Sequence, residues 1–272
     1  ALRAPRVVVI GAGAAGLAAS DALKKGGASV VVLEARERIG GRICTQREGL
    51  AGAAIDLGAA WIHGVKKNPV AAIAEELKVP LVTTDWEDMV VFDERGNKMS
   101  EKDLERAYSE YEKAHSAHKK WRQARRQQCA TDCSLWEALQ HSTDWSKLSQ
   151  KEATLLKFFW CEQTEFDYAA PMSEMSAFHW DQDEELKGDH VLFPQGYDAI
   201  TNHLADGVDI KLGHKVKRIA VSASAVTVGC QFQGVDVSVT ADYAVCTLPL
   251  GVLKVCPSEF FYPPLPDSKT EA

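Results

Sequence analysis

The strongest constraint on the fold is a glycine pattern near the start of the chain. Gly11, Gly13 and Gly16 form GxGxxG between the apolar segment RVVVI (6–10) and an alanine-rich helical segment. A second apolar segment, SVVVLE, follows at 29–34. Short apolar strands are typical of a parallel sheet that is buried on both faces, and the helix between them supplies the crossover. The sequence therefore predicts a β-α-β unit.

The same pattern predicts a nucleotide site. The first glycine permits the turn, the second lets the backbone approach a pyrophosphate, and the third permits close packing of helix on strand. The N–H groups at the start of the helix, around Ala14 and Ala15, offer partial positive charge to phosphates. Glu34 can accept hydrogen bonds from ribose hydroxyls, which disfavours the extra phosphate of NADP. The pattern indicates an ADP-containing cofactor and leaves NAD and FAD open.

A second glycine turn follows the second strand. The segment ARERIGGRICTQ contains the pair Gly40 and Gly41 and two arginines, Arg36 and Arg42. A guanidinium group is a permanently charged planar fork that suits a bound diphosphate. The alternative is a surface loop with scattered arginines, and the spacing to the first glycine pattern disfavours it.

The middle of the chain has helical periodicity. Asn68 to Lys78 predicts a helix with Pro69 in its first turn, and residues 89–100 predict a hairpin. Residues 101–127 predict one long amphipathic helix that starts at Ser100, and shorter helices are expected at 133–140 and 149–161. The long helix carries basic residues that we interpret as a solvated face instead of a nucleic-acid patch. These residues are Lys119, Lys120, Arg122, Arg125 and Arg126.

After residue 208 the sequence is rich in β-branched residues and turns. It predicts an antiparallel meander. The segments expected to form it are VDIKLG, KVKRIAV, AVTVGCQF, VDVSVT and YAVCTLP.

Composition narrows the class of protein. A formal net charge of -7 argues against a nucleic-acid binder. No apolar run approaches the ~20 residues that cross a bilayer, so we expect a soluble protein with no membrane partner. Seven cysteines without a CxxC pair indicate free thiols in a reducing compartment, and we predict no metal site.

Several segments together resemble the flavin-containing amine oxidase family. The stretch from Glu34 to Arg42 is similar to the family's EAR…GGR segment after its ADP-binding unit. DLGAAWIHG (56–64) resembles the segment that lines the flavin and the substrate channel, and it fits spermine and acetylpolyamine oxidases better than monoamine oxidases. The stretch 175–200 and CTLPLGVLK (246–254) are similar to segments leading into the flavin domain and beside the flavin.

This resemblance implies an α/β fold in which a Rossmann-like FAD-binding domain is interrupted by a mainly helical substrate-domain insertion, with an additional β meander. The implied domains are a first FAD-binding segment (1–66), the insertion (67–189), a second FAD-binding segment (190–256) and the start of a second substrate-domain segment (257–272). The chain then corresponds to the N-terminal half of the enzyme. The lysine near flavin N5 is expected beyond this sequence, as is the flavin-binding motif of the C-terminal half.

The resemblance also implies roles for individual residues. His63 is the catalytic candidate, because an imidazole suits accepting or relaying an amine proton. Trp61, Glu184 and Glu185 are the substrate-contact candidates, the two glutamates within an acidic cluster whose alternative interpretation is a solvated loop. FAD is expected to contact Gly11, Gly13, Ala14, Ala15, Gly16, Glu34, Ala35, Arg36, Gly41, Arg42, Gly58, Ala59, Ala60, Trp61, Val216, Thr247 and Pro249.

The implied reaction is FAD-dependent oxidation of a polyamine by hydride transfer to flavin N5, with O2 as oxidant and an imine or aldehyde, an amine and H2O2 as products. Two alternatives stay open. One is a demethylase of methylated histone lysine, and the other is a flavin-binding module without turnover. Trp86, Trp160 and Trp180 are further candidates for an aromatic channel, although most tryptophans are core residues. We expect a cytoplasmic or peroxisomal location, and the oligomeric state is open.

Overall fold

A computed structural model describes residues 3–48, 52–85 and 90–270. It is a mixed α/β protein with several sheets. The chain divides into two compact units: unit 1 comprises residues 1–84 and 185–272, and unit 2 comprises residues 85–184.

The N-terminal half of unit 1 contains the glycine pattern and short strands around it. Its elements are β1 (Arg6–Ile10), α1 (Ala14–Lys25), β2 (Ser29–Leu33), β3 (Thr45–Gln46), β4 (Ile55–Asp56), β5 (Trp61–Ile62), α2 (Pro69–Glu76) and β6 (Val82–Thr83).

Unit 2 is helical. Its elements are α3 (Glu101–Gln127), α4 (Leu135–Ser142), α5 (Gln150–Gln163) and α6 (Glu165–Tyr168).

The C-terminal half of unit 1 is mostly strand. Its elements are β7 (Val191–Leu192), α7 (Asp198–Leu204), β8 (Asp209–Lys211), β9 (Lys215–Val221), β10 (Val226–Phe232), β11 (Val235–Ala241), β12 (Tyr243–Cys246), α8 (Leu250–Leu253), β13 (Phe261–Tyr262) and α9 (Asp267–Thr270).

Strand β1 explains how unit 1 is layered. It lies inside a parallel sheet of order β12-β1-β2-β8. Val7 and Val9 belong to the apolar cluster that contains α1 and α7 residues, whereas Val8 and Ile10 belong to the cluster that contains the β9-β10-β11 sheet. Because successive side chains of a strand point to opposite faces, a continuous apolar run fits a strand that is covered on both sides. The predicted β-α-β unit is confirmed.

The predicted five-segment meander is wrong at both ends. Of the five predicted segments, only the three that form β9, β10 and β11 pair with one another in antiparallel order. Strand β8 joins the parallel sheet beside β2, because α7 packs on the same apolar cluster as α1 and leads the chain there. Strand β12 joins the parallel sheet beside β1, where the Asp242 carboxylate accepts a hydrogen bond from the Arg6 backbone N–H at 2.8 Å.

Helix capping explains the bounds of the unit 2 helices. The Ser100 hydroxyl accepts from the Asp103 N–H at 3.2 Å, so α3 begins where the sequence predicts. Ser149 and Glu152 form a reciprocal capping box at the start of α5. Helix α3 buries Ala107, Tyr111, Ala114 and His118, which recur at a spacing of three to four residues.

The insertion is predicted to begin at 67, whereas unit 2 begins at 85. Helix α2 and strand β6 pack within unit 1, where β6 pairs with β7 and Ala74 joins the α1 cluster. The functional division into cofactor and substrate domains stays a prediction. The hairpin predicted over 89–100 is present over its described residues, with Phe92 bridged to Lys98.

Candidate functional site

The glycine pattern forms a tight loop at the end of β1. Gly11 has φ +104°, a conformation that L residues rarely adopt. A Cβ on Gly16 would collide with the Gly11 carbonyl oxygen, and it would lie 2.9 Å from Thr247 Oγ1. Thr247 is held in place because its N–H and hydroxyl both donate to the Ile10 carbonyl, at 3.0 and 2.8 Å. Packing within the protein therefore requires glycine at positions 11 and 16.

Gly13 differs from Gly11 and Gly16 because nothing in the described part of the protein requires a glycine at its position. It has φ −79° and ψ 178°, which any residue can adopt, and a Cβ there would approach protein atoms no closer than 3.9 Å. Neither backbone strain nor packing explains a glycine here. It is the residue immediately before α1, it supplies no side-chain cap, and Ala14 and Ala15 of the first turn are exposed. The surface is open to an anionic group that approaches the backbone, so the residues fit a bound diphosphate.

Glu34 fixes this loop from the side. Its carboxylate accepts from the Ala12 N–H at 2.7 Å and from the Arg36 N–H at 2.9 Å, and the residue is 8% exposed. The backbone carbonyl of Glu34 also accepts from the His214 N–H at 2.8 Å. One buried carboxylate thus joins the glycine loop to the segment after β2.

We expect Glu34→Gln to lower the free energy of unfolding by about 1–3 kcal/mol, because the amide places an N–H donor against a backbone N–H donor. Urea unfolding measures this change, and Glu48→Gln, at an exposed position, is the matched control. Equal stability of the Glu34 and Glu48 variants would show that the carboxylate does not hold the loop.

The second glycine turn packs directly on the first. Gly13 and Gly40 form a parallel bridge, and the Gly40 N–H donates to the Ala12 carbonyl at 2.8 Å. The structure brings Gly41 to the same place, since its added Cβ would lie 3.3 Å from the Gly13 Cα. Sequence reasoning missed Arg38, which organises this turn by donating to the Gly41 carbonyl at 3.0 Å.

The two arginines selected from sequence are exposed. The Arg36 guanidinium donates to the Gly41 carbonyl at 3.3 Å, so one of its N–H groups stabilises the glycine turn. Ala35, beside it, is also exposed. Arg42 contributes its backbone carbonyl, which accepts from the Ala59 N–H at 3.2 Å. A Cβ on Gly58 would collide with that same carbonyl.

The segment 58–64 continues from this contact toward the catalytic candidate. Ala60 is half-buried, and Trp61 donates its indole N–H to the Thr84 hydroxyl at 2.9 Å. His63 is exposed. Its Nδ1 lies 3.1 Å from Nδ1 of His190, which sequence reasoning did not select. The two imidazoles pack edge to face, with ring centroids 5.2 Å apart.

Three candidates come from the C-terminal half of unit 1. Thr247 lies against the glycine loop as described, and Pro249 is exposed and directly precedes α8. Val216 is half-buried in β9, two residues after His214, which binds the Glu34 backbone. The structure therefore places Val216 close in the chain to the residue that binds the Glu34 backbone, and Thr247 against both Gly11 and Gly16.

The acidic cluster after Trp180 is not uniform. Asp181 forms a two-point ion pair with Arg122, at 2.5 and 2.9 Å, and Asp183 accepts from the Tyr168 hydroxyl at 2.6 Å. Burial opposes charge on Asp181, but the hydrogen bond and the positive charge of Arg122 keep the pKa of its carboxyl below its usual range. Glu184 and Glu185 are exposed, the first in unit 2 and the second in unit 1.

The basic stretch of α3 is only partly a solvated face. The Arg122 side chain is 14% exposed because it pairs with Asp181. The Arg126 guanidinium lies 5.5 Å from the centre of the Phe178 ring and also donates to the Phe178 carbonyl. The interpretation of a solvated face is therefore wrong for Arg122, whereas Arg126 is exposed as that interpretation expects. The partners of both residues lie more than fifty positions away.

Two of the tryptophans proposed for a channel are core residues of unit 2. Trp160 is fully buried and Trp180 packs against the same cluster. Their ring centroids are 6.3 Å apart. Trp86 lies outside the described residues. Trp61 is the remaining aromatic candidate.

Comparison with known proteins identifies the family. Residues 14–272 match the model of the flavin containing amine oxidoreductases. The chain belongs to this family. A flavin cofactor is thus implied, and the glycine loop described above fits one.

The relatives are named either as polyamine oxidases or as homologues of a lysine-specific histone demethylase. The chain is 34% identical over 98% of its length to polyamine oxidase 3 of Oryza sativa subsp. japonica, and 35% identical over 99% to polyamine oxidase 2 of Arabidopsis thaliana. It is also 34% identical over 99% of its length to lysine-specific histone demethylase 1 homolog 2 of Oryza sativa subsp. japonica. The chain spans 56% of the two polyamine oxidases and 35% of the demethylase homologue.

The structure gives two further observations on cofactors and membranes. Within residues 3–48, 52–85 and 90–270, no three His, Cys, Asp or Glu side chains are grouped so that they could hold a metal ion. No helix in that stretch of the chain is long and apolar enough to cross a membrane.

Proposed function

We propose that this chain supplies the FAD-binding region, and one wall of the substrate site, of a polyamine oxidase. The observation that carries the proposal is a continuous path of contacts within unit 1. Gly13 is bridged to Gly40, the same turn leads to Arg42, and the Arg42 carbonyl binds Ala59. Two residues further on, the chain reaches Trp61, and then His63. A nucleotide loop and a candidate proton acceptor are therefore joined by one connected segment.

In this proposal the parallel sheet and its glycine loop form a Rossmann-like FAD-binding fold. The N-terminus of α1 and the backbone at Gly13 hold the diphosphate. Glu34 and Val216 face the ADP end, and Thr247, Pro249 and the segment 58–61 face the flavin end. Bound FAD supplies the acceptor for the hydride equivalent that leaves the carbon beside the amine nitrogen.

The protein's own task is to present the amine as a free base in the right place. His63 accepts the amine proton or relays it, since its imidazole is exposed. The face of Trp61 restricts the position of the substrate and attracts a cationic group. Glu184 and Glu185 are both exposed, and they attract a multiply charged polyamine by Coulomb interaction. Dioxygen is the second substrate, and hydrogen peroxide is a product.

We expect His63→Ala to lower kcat/KM for polyamine oxidation about 100-fold, the usual order for loss of a general base. The FAD content of the full-length protein should stay at its wild-type value, because the hydrogen bonds of His63 run to His190 and Asn68 and not to the glycine loop. The absorbance ratio at 450 and 280 nm measures FAD content, and peroxide formation measures turnover. His179→Ala is the control. Wild-type kinetics, or parallel loss of FAD, would contradict the assigned role.

A methylated lysine is the second candidate substrate, because relatives named as histone demethylase homologues match the same length of this chain. Peroxide formation from spermine, spermidine and their acetyl forms should be compared with that from a dimethyl-lysine histone peptide. The proposal predicts turnover of a polyamine. Turnover of the peptide alone would replace the polyamine with the second candidate.

A further inference from the structure

The pairing of two very short strands determines which residue faces His63. Strands β5 and β7 are antiparallel, with Trp61 opposite Leu192 and Ile62 opposite Val191. Continued by one position, this register places His63 opposite His190. Strand β6 pairs with the other edge of β7, and just beyond it the Thr84 N–H donates to the His190 carbonyl at 2.9 Å. The backbone of His190 is thus held by Thr84 on one side, and it directly follows the β5–β7 register on the other.

Hydrogen-bond chemistry limits how this histidine pair can be protonated. The two Nδ1 atoms are 3.1 Å apart, and a bond of that length requires one donor and one acceptor. Two lone pairs would repel each other, and two N–H groups would clash. The pair therefore holds one proton between its Nδ1 atoms, and the tautomer of one ring dictates that of the other.

The neutral pair has only two arrangements. If His63 donates from Nδ1, its Nε2 carries a lone pair; if His190 donates, Nε2 of His63 carries a proton. The first arrangement makes His63 an acceptor toward solvent, and the second makes it a donor. A protonated amine brings N–H groups and needs an acceptor.

We propose that His190 is a positioning residue for His63: its Nδ1 accepts the proton of His63 Nδ1 and thereby keeps His63 Nε2 as the proton acceptor for the substrate amine. This inference rests on the proposed amine oxidation. When the amine proton moves to Nε2 of His63, the bond to His190 stabilises the imidazolium that forms, because its Nδ1 is already an acceptor.

Nitrogen NMR tests the tautomer without turnover. In the flavin-loaded full-length protein with 15N-labelled histidine, ring spectra at a pH where both rings are neutral should show His63 protonated at Nδ1 and unprotonated at Nε2. His190 should be unprotonated at Nδ1. The substitutions His63→Gln and His190→Asn assign the signals. A His63 ring protonated at Nε2, or one that does not change in the His190→Leu variant, overturns the proposal even if amine oxidation itself is verified.

Kinetics of variants test the consequence. His190→Leu should lower kcat/KM for the amine about tenfold, the effect of one hydrogen bond of ~1.4 kcal/mol. His190→Asn should restore it to within about threefold of wild type, because the amide oxygen can accept from His63 Nδ1. The control His203→Leu changes a half-buried histidine elsewhere in unit 1 and should leave kcat/KM unchanged. Equal losses in the Leu and Asn variants overturn the proposal.

Discussion

Gly16→Ala is expected to disrupt the nucleotide loop and to leave little folded, flavin-loaded protein. The added methyl group would collide with the Gly11 carbonyl oxygen and would lie 2.9 Å from Thr247 Oγ1. The carbonyl belongs to the backbone, so relief requires α1 to move away from β1. Overpacking of this kind costs about 1–3 kcal/mol, and more where the obstacle is rigid. Thermal unfolding and the yield of soluble protein measure the loss of stability in this variant.

Gly13→Ala is the matched variant, because an added methyl group meets protein atoms only at 3.9 Å and beyond. The apoprotein should unfold within about 0.5 kcal/mol of wild type. The dissociation constant for FAD should nevertheless rise at least about tenfold, since the methyl group occupies the space needed by the diphosphate. Quenching of FAD fluorescence on addition of apoprotein measures it. Unchanged affinity in this variant would mean that the diphosphate does not lie against Gly13.

A buried histidine, His118, is expected to make the stability of unit 2 sensitive to acid. His118 is fully buried in α3, where its ring lies 6.0 Å from the rings of Trp121 and Trp160. Burial lowers the pKa of this imidazole to about 4, and the positive charge of Arg122 adds to the effect. His115 acts in the same direction, whereas Asp181 and the backbone of Ala177 favour the charged form. His118 is therefore neutral in the folded protein at neutral pH.

The sign of the pH dependence follows from the two states. The ordinary pKa of histidine, about 6.5, applies to the unfolded chain, so between about pH 6.5 and pH 4 the unfolded state binds more protons. The contribution of neutral His118 to the free energy of unfolding is fully present above about pH 6.5. It falls as the pH drops toward 4, by about 3 kcal/mol in all. Hydrogen exchange of the α3 and α5 amides should report this loss, and His118→Leu should remove it.

The exposed histidine His141, on α4 of the same unit, provides the control. His141→Gln should keep the acid sensitivity of the unchanged protein. If His118→Leu loses as much protection on acidification as His141→Gln, the buried imidazole is not its source.

The features of the structure that were predictable from sequence are those set by local pattern. The β1-α1-β2 unit follows from apolar runs around the three glycines, and α3 follows from its Ser100 cap and the spacing of its apolar residues. The second glycine turn is also evident from the pair Gly40 and Gly41, although its bridge to Gly13 is visible only in the structure. In each case the information lies within about thirty consecutive residues.

The missed features depend on partners that are distant in sequence. Strands β8 and β12 have the composition of meander strands, but the parallel sheet pairs them with residues about 180 and 240 positions earlier. His190 could not be selected because β5 and β7 are two residues long and show no alternation that would fix their register. Arg122 looks like any basic residue on a helix until its partner Asp181 is placed.

Polyamine oxidation by this protein is tested most directly by anaerobic titration of the full-length protein with spermine, spermidine and their acetyl forms, monitored through the visible absorption band of its flavin. At least one of these amines should bleach the band completely, and admission of oxygen should restore it with release of hydrogen peroxide. A band that none of them bleaches would contradict the proposal that this protein oxidises polyamines.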